Sequence, residues 1–183
     1  ASNYLFHIIV SHELGPSSYG ALTSLLAVLL VLSVPLNVLQ TTVAKRAAIL
    51  RAEGHADELP ELSRAAVRVI LPFAIIGALI FVVGSPVLSA FLHVGAGSVA
   101  MLGGYVFLSL LLSVPLGVLQ GSLRFRALAV VMAVGVGARL VLGFALAHAG
   151  YGVGGALVAT LLAPAISLVL AERARPPKDA TQR

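Results

Sequence analysis

The chain has 183 residues, of which 59% are hydrophobic and 10% are charged, and its mean hydropathy is +1.03. Water-soluble domains carry about 25% charged residues, so this composition argues against a soluble domain and indicates a protein embedded in lipid. The net charge of +5 does not indicate a nucleic-acid partner, because the basic residues lie at the ends of apolar runs. The absence of cysteine excludes disulfides, thiolate metal sites and a cysteine nucleophile.

Six apolar segments predict an all-α, polytopic membrane protein. The predicted spans are residues 1–11, 20–44, 69–92, 98–123, 127–149 and 156–171. The first segment is too short to cross about 30 Å of hydrocarbon, so we expect it to be the second half of a truncated helix in a fragment of a longer protein. We expect residues 1–172 to form one six-helix lobe and residues 173–183 to form a cytoplasmic linker or tail.

The basic residues predict how these spans are oriented. Of the twelve Lys and Arg residues, eleven lie in the segments that follow the second, fourth and sixth spans, and the loops on the opposite side hold none. By the positive-inside rule the three basic segments are cytoplasmic, and the first span starts from the cytoplasm.

Two of the spans contain almost the same stretch of sequence. Residues 32–40 read LSVPLNVLQ and residues 112–120 read LSVPLGVLQ. Each copy contains a proline, which removes a backbone donor and frees a carbonyl that only protein or a wet cavity can satisfy in lipid. We therefore predict hinges at Pro35 and Pro115 that line one cavity, with a pair of static kinks as the alternative.

The polar side chains of the repeat are candidate substrate-binding residues. Asn37 and Gln40 are three residues apart on the second span, and Gln120 is the copy of Gln40 on the fourth. Amides at this depth are suited to bind sugar hydroxyls or phosphate if the two spans face a cavity.

Arg139 is the twelfth basic residue and the strongest candidate for ligand contact. It lies thirteen residues after Arg126 within the fifth span, which is about 20 Å along a helix and near the bilayer centre. An arginine at that depth costs roughly 2.5–3.5 kcal/mol on insertion scales, so it needs a polar cavity or a partner. A phosphate is one such partner, because guanidinium binds it in bidentate geometry. A purely structural role, with helix-end carbonyls or a distant carboxylate as partner, is the alternative.

Asn3 and His7 are four residues apart and therefore share one face of the first span. They are candidate cavity residues that hydrogen-bond sugar hydroxyls or phosphate. Interhelical hydrogen bonds that only pack the helix are the alternative.

The sequence does not indicate an enzyme. No two carboxylates are placed for acid–base chemistry within a span, and neither an H-E-x-x-H nor a G-x-S-x-G motif occurs. The histidines are scattered without the spacing of a zinc site. We expect no metal and no cofactor.

Three stretches of the chain resemble a known family. NYLFHIIVSHELGPSSYGAL, LSVPLNVLQTTVAKRAA and VPLGVLQGSLRFRAL are similar to the first, second and fourth helices of lipid-linked oligosaccharide flippases. These flippases are the polysaccharide-biosynthesis branch of the multidrug/oligosaccharidyl-lipid/polysaccharide (MOP) exporter superfamily. The resemblance covers nearly the whole chain but only half of such a protein. The chain departs from the family at His12, where members commonly have arginine.

The resemblance implies a V-shaped protein of two six-helix lobes with a central cavity, in a bacterial inner membrane. Such a protein turns a polyprenyl-diphosphate-linked oligosaccharide from the cytoplasmic to the outer leaflet by alternating access. It implies that Arg139 contacts the diphosphate. The implied partners are membrane lipids, the lipid-linked oligosaccharide, and either a second lobe in the same chain or a second copy.

Two other functions remain open. A multidrug or cation exporter of the same superfamily needs a carboxylate within the membrane to bind its cation, and none lies in the visible spans. A non-transporting membrane scaffold of a glycan-synthesis complex predicts that Arg139 and Gln40 can be replaced without consequence.

Overall fold

The structure is a computed structural model that describes residues 16–92 and 95–174, and this part of the chain consists of helices and turns. The prediction of an all-α protein is confirmed. The helices are α1 (Pro16–Ala52), α2 (Leu59–Val83), α3 (Ser85–Leu92), α4 (Ala96–Gly121), α5 (Phe125–Leu146) and α6 (Gly152–Arg173), with short turns of 3-10 helix at Ala56–Glu58 and π helix at Ala147–Tyr151. The predicted first span, residues 1–11, lies outside the described residues.

Three of the described helices are long and apolar enough to cross a membrane. They cover Ala56–Val83, Gly97–Gly121 and Phe125–Gly150. Large apolar side chains on the outside of these helices are exposed, such as Phe73 at 66% and Phe144 at 61%. Water-soluble monomers rarely expose large contiguous apolar surfaces, so this exterior is consistent with a membrane protein.

α1 continues for eight residues past the predicted span 20–44. The change to basic residues ends the apolar stretch without ending the helix, because Ala, Lys and Arg are good helix formers. The helix ends in a Schellman motif, in which Gly54 has φ +84 and the His55 N–H donates to the Leu50 carbonyl at 2.8 Å.

α4 ends in the same motif with a different residue at the left-handed position. Leu123 has φ 57 there, and the Arg124 N–H donates to the Leu119 carbonyl at 3.0 Å. Glycine is usual at this position because a Cβ disfavours the left-handed region. The turn between α4 and α5 therefore contains a strained leucine.

The predicted third span, residues 69–92, is divided in the structure. α2 ends at Val83 and α3 begins at Ser85, and Gly84 between them donates its N–H to the Ile80 carbonyl at 2.9 Å. Pro86 explains the break, because it has no N–H for the carbonyl four residues before it.

α4 lies at the centre of the bundle. It packs against α1, α2 and α6, while α5 packs mainly against α6. Buried apolar side chains join these helices in two clusters. The first cluster joins α1, α2 and α4 and contains Val43, Ile70, Val114 and Val118. The second joins α4, α5 and α6 and contains Leu119, Val131 and Ala171.

The contacts between helices define their directions. Gly117 of α4 lies against Gln40 of α1, and Gly121 one turn later lies against Ala44, so α1 and α4 are parallel. α4 and α6 are also parallel, because Gly104 lies against Leu161 and the cluster near the end of α4 contains the end of α6. By the same reasoning α2 and α5 run in the opposite direction.

As a result, α1, α4 and α6 end where α2 and α5 begin, and we call this the basic end of the bundle. All described Lys and Arg residues except Arg139 lie there. Arg51 of α1 donates to the Ser122 carbonyl after α4, and Arg124 donates to the Ala174 carbonyl after α6 at 3.1 Å. Arginine side chains thus cap the ends of neighbouring parallel helices, where the helix dipole favours positive charge.

Candidate functional site

The two copies of the repeat have the same local geometry. The Ser33 hydroxyl donates to the Leu30 carbonyl at 2.6 Å, and the Ser113 hydroxyl donates to the Leu110 carbonyl at 2.6 Å. In each copy a proline follows two positions after the serine. A serine that hydrogen-bonds to the preceding turn and a proline that frees a carbonyl both favour a bend in a helix. The two copies of the repeat therefore carry the same local feature.

The predicted hinge residues differ in their surroundings. Pro35 is exposed on α1, whereas Pro115 is fully buried in α4. Both lie inside helices that continue on either side of them. The two prolines are equivalent in sequence but not in packing, because α4 is central and α1 is peripheral.

Gln40 and Gln120, the equivalent glutamines of the two copies, contact each other. The Gln40 side-chain N–H₂ donates to the Gln120 side-chain oxygen at 3.0 Å, and both side chains are partly buried between α1 and α4. Gln120 is the penultimate residue of α4, so the pair lies close to the basic end. Each glutamine therefore has the other as a partner, and the pair joins two parallel helices.

Close packing explains the one difference between the copies. A Cβ atom on Gly117 would lie 2.7 Å from the Gln40 carbonyl oxygen and 2.8 Å from the Val43 Cβ. No real side chain tolerates such distances, so asparagine cannot replace glycine where α4 crosses α1. Small residues that let backbones approach are a recurrent feature of membrane helix pairs.

Asn37, the residue equivalent to Gly117, is exposed on α1. Its side-chain N–H₂ donates to the Ser33 carbonyl at 2.7 Å, and the Thr41 hydroxyl donates to the Asn37 carbonyl at 2.8 Å. Ser33, Asn37 and Thr41 are spaced by four residues and form a polar stripe along one side of the helix. The bond to Ser33 uses one N–H of the amide and leaves its oxygen able to accept.

Arg139 lies in the apolar part of α5, fourteen residues after Phe125. It is half-buried, the Nε atom of its guanidinium is buried, and the side chain interacts electrostatically with Tyr105 of α4. The guanidinium is therefore directed towards the interior of the bundle. Fourteen residues correspond to about 21 Å along the helix from the basic end.

The structure does not bring all the predicted site residues together. The glutamine pair lies near the basic end on α1 and α4, whereas Arg139 lies deep in the bundle on α5, whose main neighbour is α6. Asn3 and His7 lie outside the described residues. Among the described residues no group of three His, Asp or Glu side chains could hold a metal ion.

Two features of the site were not predicted from the sequence. Tyr105 lies near Arg139. In the sequence Tyr105 is only a polar aromatic residue within an apolar run, and nothing there indicated that it lies near Arg139. Arg51 and Arg124 cap helix ends, whereas the sequence indicated only that they close apolar runs. Both features depend on which helices are neighbours.

Comparison with known proteins adds no further assignment to this geometry. No protein-family model matches the chain, and no match was found among curated proteins or among solved structures. The residues and their arrangement are therefore the basis of the functional proposal.

Proposed function

We propose that the chain forms one lobe of a membrane transporter that turns a polyprenyl-diphosphate-linked oligosaccharide from the cytoplasmic to the outer leaflet by alternating access. The observation that supports this most is the placement of Arg139. A permanently charged side chain lies midway along an apolar helix and is directed towards α4. Arginines within the membrane almost always face the bundle interior or a water-filled cavity rather than lipid, and they often mark substrate pathways.

The chemistry of the Arg139 surroundings favours an anionic ligand. Tyr105 of α4 lies near the guanidinium, and its hydroxyl can donate or accept a hydrogen bond. A diphosphate supplies two negative groups with the geometry that a guanidinium binds in bidentate fashion. An organic cation, the ligand of the alternative exporter, would be repelled by the same charge.

The basic end supports an orientation for this transport. We place it at the cytoplasmic leaflet, where anionic headgroups attract clusters of Lys and Arg. A lipid-linked diphosphate synthesised on that side would be drawn to the same end. The Gln40–Gln120 hydrogen bond joins α1 to α4 at this end.

The test of this proposal is the export of cell-surface polysaccharide in a strain that depends on the protein. Arg139→Ala should lower export by about tenfold or more, which is the value of one strong charged hydrogen bond, while the protein still accumulates in the membrane. Arg139→Lys should recover part of the export, because the charge remains and the planar fork is lost.

Arg126→Ala is the matched control, since it removes an exposed arginine of the same helix at the basic end. It should change export by less than Arg139→Ala does. Normal export by Arg139→Ala would remove that residue from the mechanism. If Gln40→Ala also exported normally, the scaffold function would be favoured instead.

A further inference from the structure

The hydroxyl of Ser63 is buried and makes no hydrogen bond to the described part of the chain. Ser63 is the fifth residue of α2 and is 1% exposed. The buried serines on the other helices differ, because Ser113, Ser122 and Ser167 each donate to a backbone carbonyl. Burying a hydroxyl without a partner costs free energy, so such a group points to a bound water or ion.

The packing of α2 places Ser63 at a junction of three helices. Val67, one turn after Ser63, packs against the cluster that contains Val43 of α1 and Val118 of α4. Because α2 runs in the opposite direction to α1 and α4, Ser63 lies one turn nearer the basic end than this cluster. One turn beyond Val118 is Ser122, which is also buried. Ser63 and Ser122 therefore lie at the same level on neighbouring helices.

The contacts further along α2 and α4 give the same register. A Cβ on Gly77 would lie 3.3 Å from the Val106 side chain, so these two residues are opposite each other. Fourteen residues towards the basic end lie Ser63 on α2 and Gln120 on α4. Two residues correspond to about 3 Å along a helix, so this count also places Ser63 beside the end of α4.

Arg51 of α1 completes the junction. Its guanidinium donates to the Ser122 carbonyl and therefore lies at the end of α4. A guanidinium has five N–H groups, so this bond leaves others able to donate. The Ser122 hydroxyl donates to the Leu119 carbonyl at 3.2 Å and remains able to accept. Next to the Ser63 hydroxyl the junction thus offers a donor on one helix and an acceptor on another.

The charges at the junction favour water over an ion. Arg51 would repel a cation, and the groups at the junction include no carboxylate. Glu58 and Glu61 at the start of α2 would repel an anion. Water is neutral and both donates and accepts, which matches this mixture of groups. Buried waters typically make about three hydrogen bonds to polar groups that have no other partner.

We propose that a buried water molecule binds between Ser63, Ser122 and the Arg51 guanidinium. The water accepts from the Ser63 O–H and from an Arg51 N–H, and it donates to the Ser122 Oγ atom. It thereby joins the start of α2 to the ends of α1 and α4 at the basic end. This inference does not depend on the transported molecule.

Thermal unfolding of the full chain in detergent tests the proposal through the sign of one shift. Ser63→Ala should lower the melting temperature by about 2–4 °C relative to a control, the shift that one hydrogen bond causes in a chain of this size. Ser113→Ala is the matched control, because Ser113 is buried in a helix and bonds to a carbonyl of that same helix. If the Ser63 hydroxyl has no ligand, Ser63→Ala should raise the melting temperature instead. A rise, or a shift equal to that of the control, would overturn the proposal.

A second variant tests the bridge between the two serines. Ser122→Ala keeps the carbonyl that Arg51 binds and removes the hydroxyl that accepts from the water. The variant with both substitutions should lose less than the sum of the two single shifts, since each substitution weakens the binding of the same water. Additive shifts would contradict a shared ligand.

Two further observations distinguish water from other partners. An experimental structure that resolves waters should show one at about 2.7–3.2 Å from the Ser63 Oγ atom. A protein group bonded directly to that atom would overturn the proposal. So would a Ser63→Ala shift that changes when chloride is replaced by gluconate, because the ligand would then be an anion.

Discussion

Gln40 and Gln120 hold equivalent places in two copies of one sequence motif, and they donate and accept a single hydrogen bond at 3.0 Å across parallel helices. The second copy passes through the centre of the bundle, and the first copy runs along its side. The same nine-residue pattern is thus used for a core helix and a peripheral helix. The bond between the glutamines joins the two copies at the basic end.

The glutamine pair should show energetic coupling. We expect Gln40→Ala and Gln120→Ala each to destabilise the protein in detergent, and the double variant to lose less than the sum. The coupling should be about 0.6 kcal/mol and at most about 1.7 kcal/mol, the range of interhelical hydrogen bonds in membrane proteins. A double-mutant cycle from denaturant unfolding measures it, and strictly additive losses would contradict the observed contact.

Substitution by alanine should have opposite effects on protein stability at two glycines, Gly121 and Gly137. A Cβ on Gly121 would collide with the Ala44 carbonyl oxygen of α1, whereas a Cβ on Gly137 would meet nothing within 4 Å. Gly121→Ala should therefore destabilise the protein by about 1–3 kcal/mol, the usual cost of overpacking. Gly137→Ala should stabilise it by up to about 1 kcal/mol, because alanine is the better helix former. Thermal unfolding of both variants in the same detergent provides the comparison, and equal shifts would contradict the close approach of α1 and α4.

The two Schellman motifs predict a stabilising substitution. Leu123 has φ 57 and is 58% exposed, so Leu123→Gly relieves backbone strain and removes little packing. We expect a gain of about 1 kcal/mol. Gly54→Ala, at the equivalent position after α1, should cost a similar amount, because Gly54 has φ +84. The melting temperatures of the two variants should move in opposite directions, and a lower melting temperature for Leu123→Gly would mean that its side chain packs more than its exposure indicates.

The proposed orientation predicts where added cysteines can be labelled. Glu58 is exposed at the basic end, and Gly97 is exposed at the opposite end of the bundle. With a membrane-impermeant maleimide, Gly97→Cys should be labelled in intact cells, and Glu58→Cys only after permeabilisation. Labelling of Glu58→Cys from outside would reverse the assignment of the basic end to the cytoplasm.

Features that depend on residues close together in the chain could be predicted from the sequence. The composition and the apolar runs predicted a helical membrane protein, and the structure confirms the helices and has three long enough to cross a membrane. The segregation of Lys and Arg to the ends of alternate runs likewise follows from the order of residues. The ends of the helices were predicted less accurately. The basic residues after Ala44 continue α1, and Pro86 divides an apolar run that was predicted to be one span.

The pairing of side chains was decided by the tertiary structure. The sequence shows Gly117 in place of Asn37, but only the crossing of α4 over α1 explains why glycine is needed. The direction of Arg139 towards Tyr105 also depends on neighbours far along the chain. The physical reason is that lipid and protein core are both apolar, so a membrane helix has little amphipathic pattern to mark its inner side. Which side faces inward is settled by how closely the helices fit, and that depends on residues up to eighty positions apart.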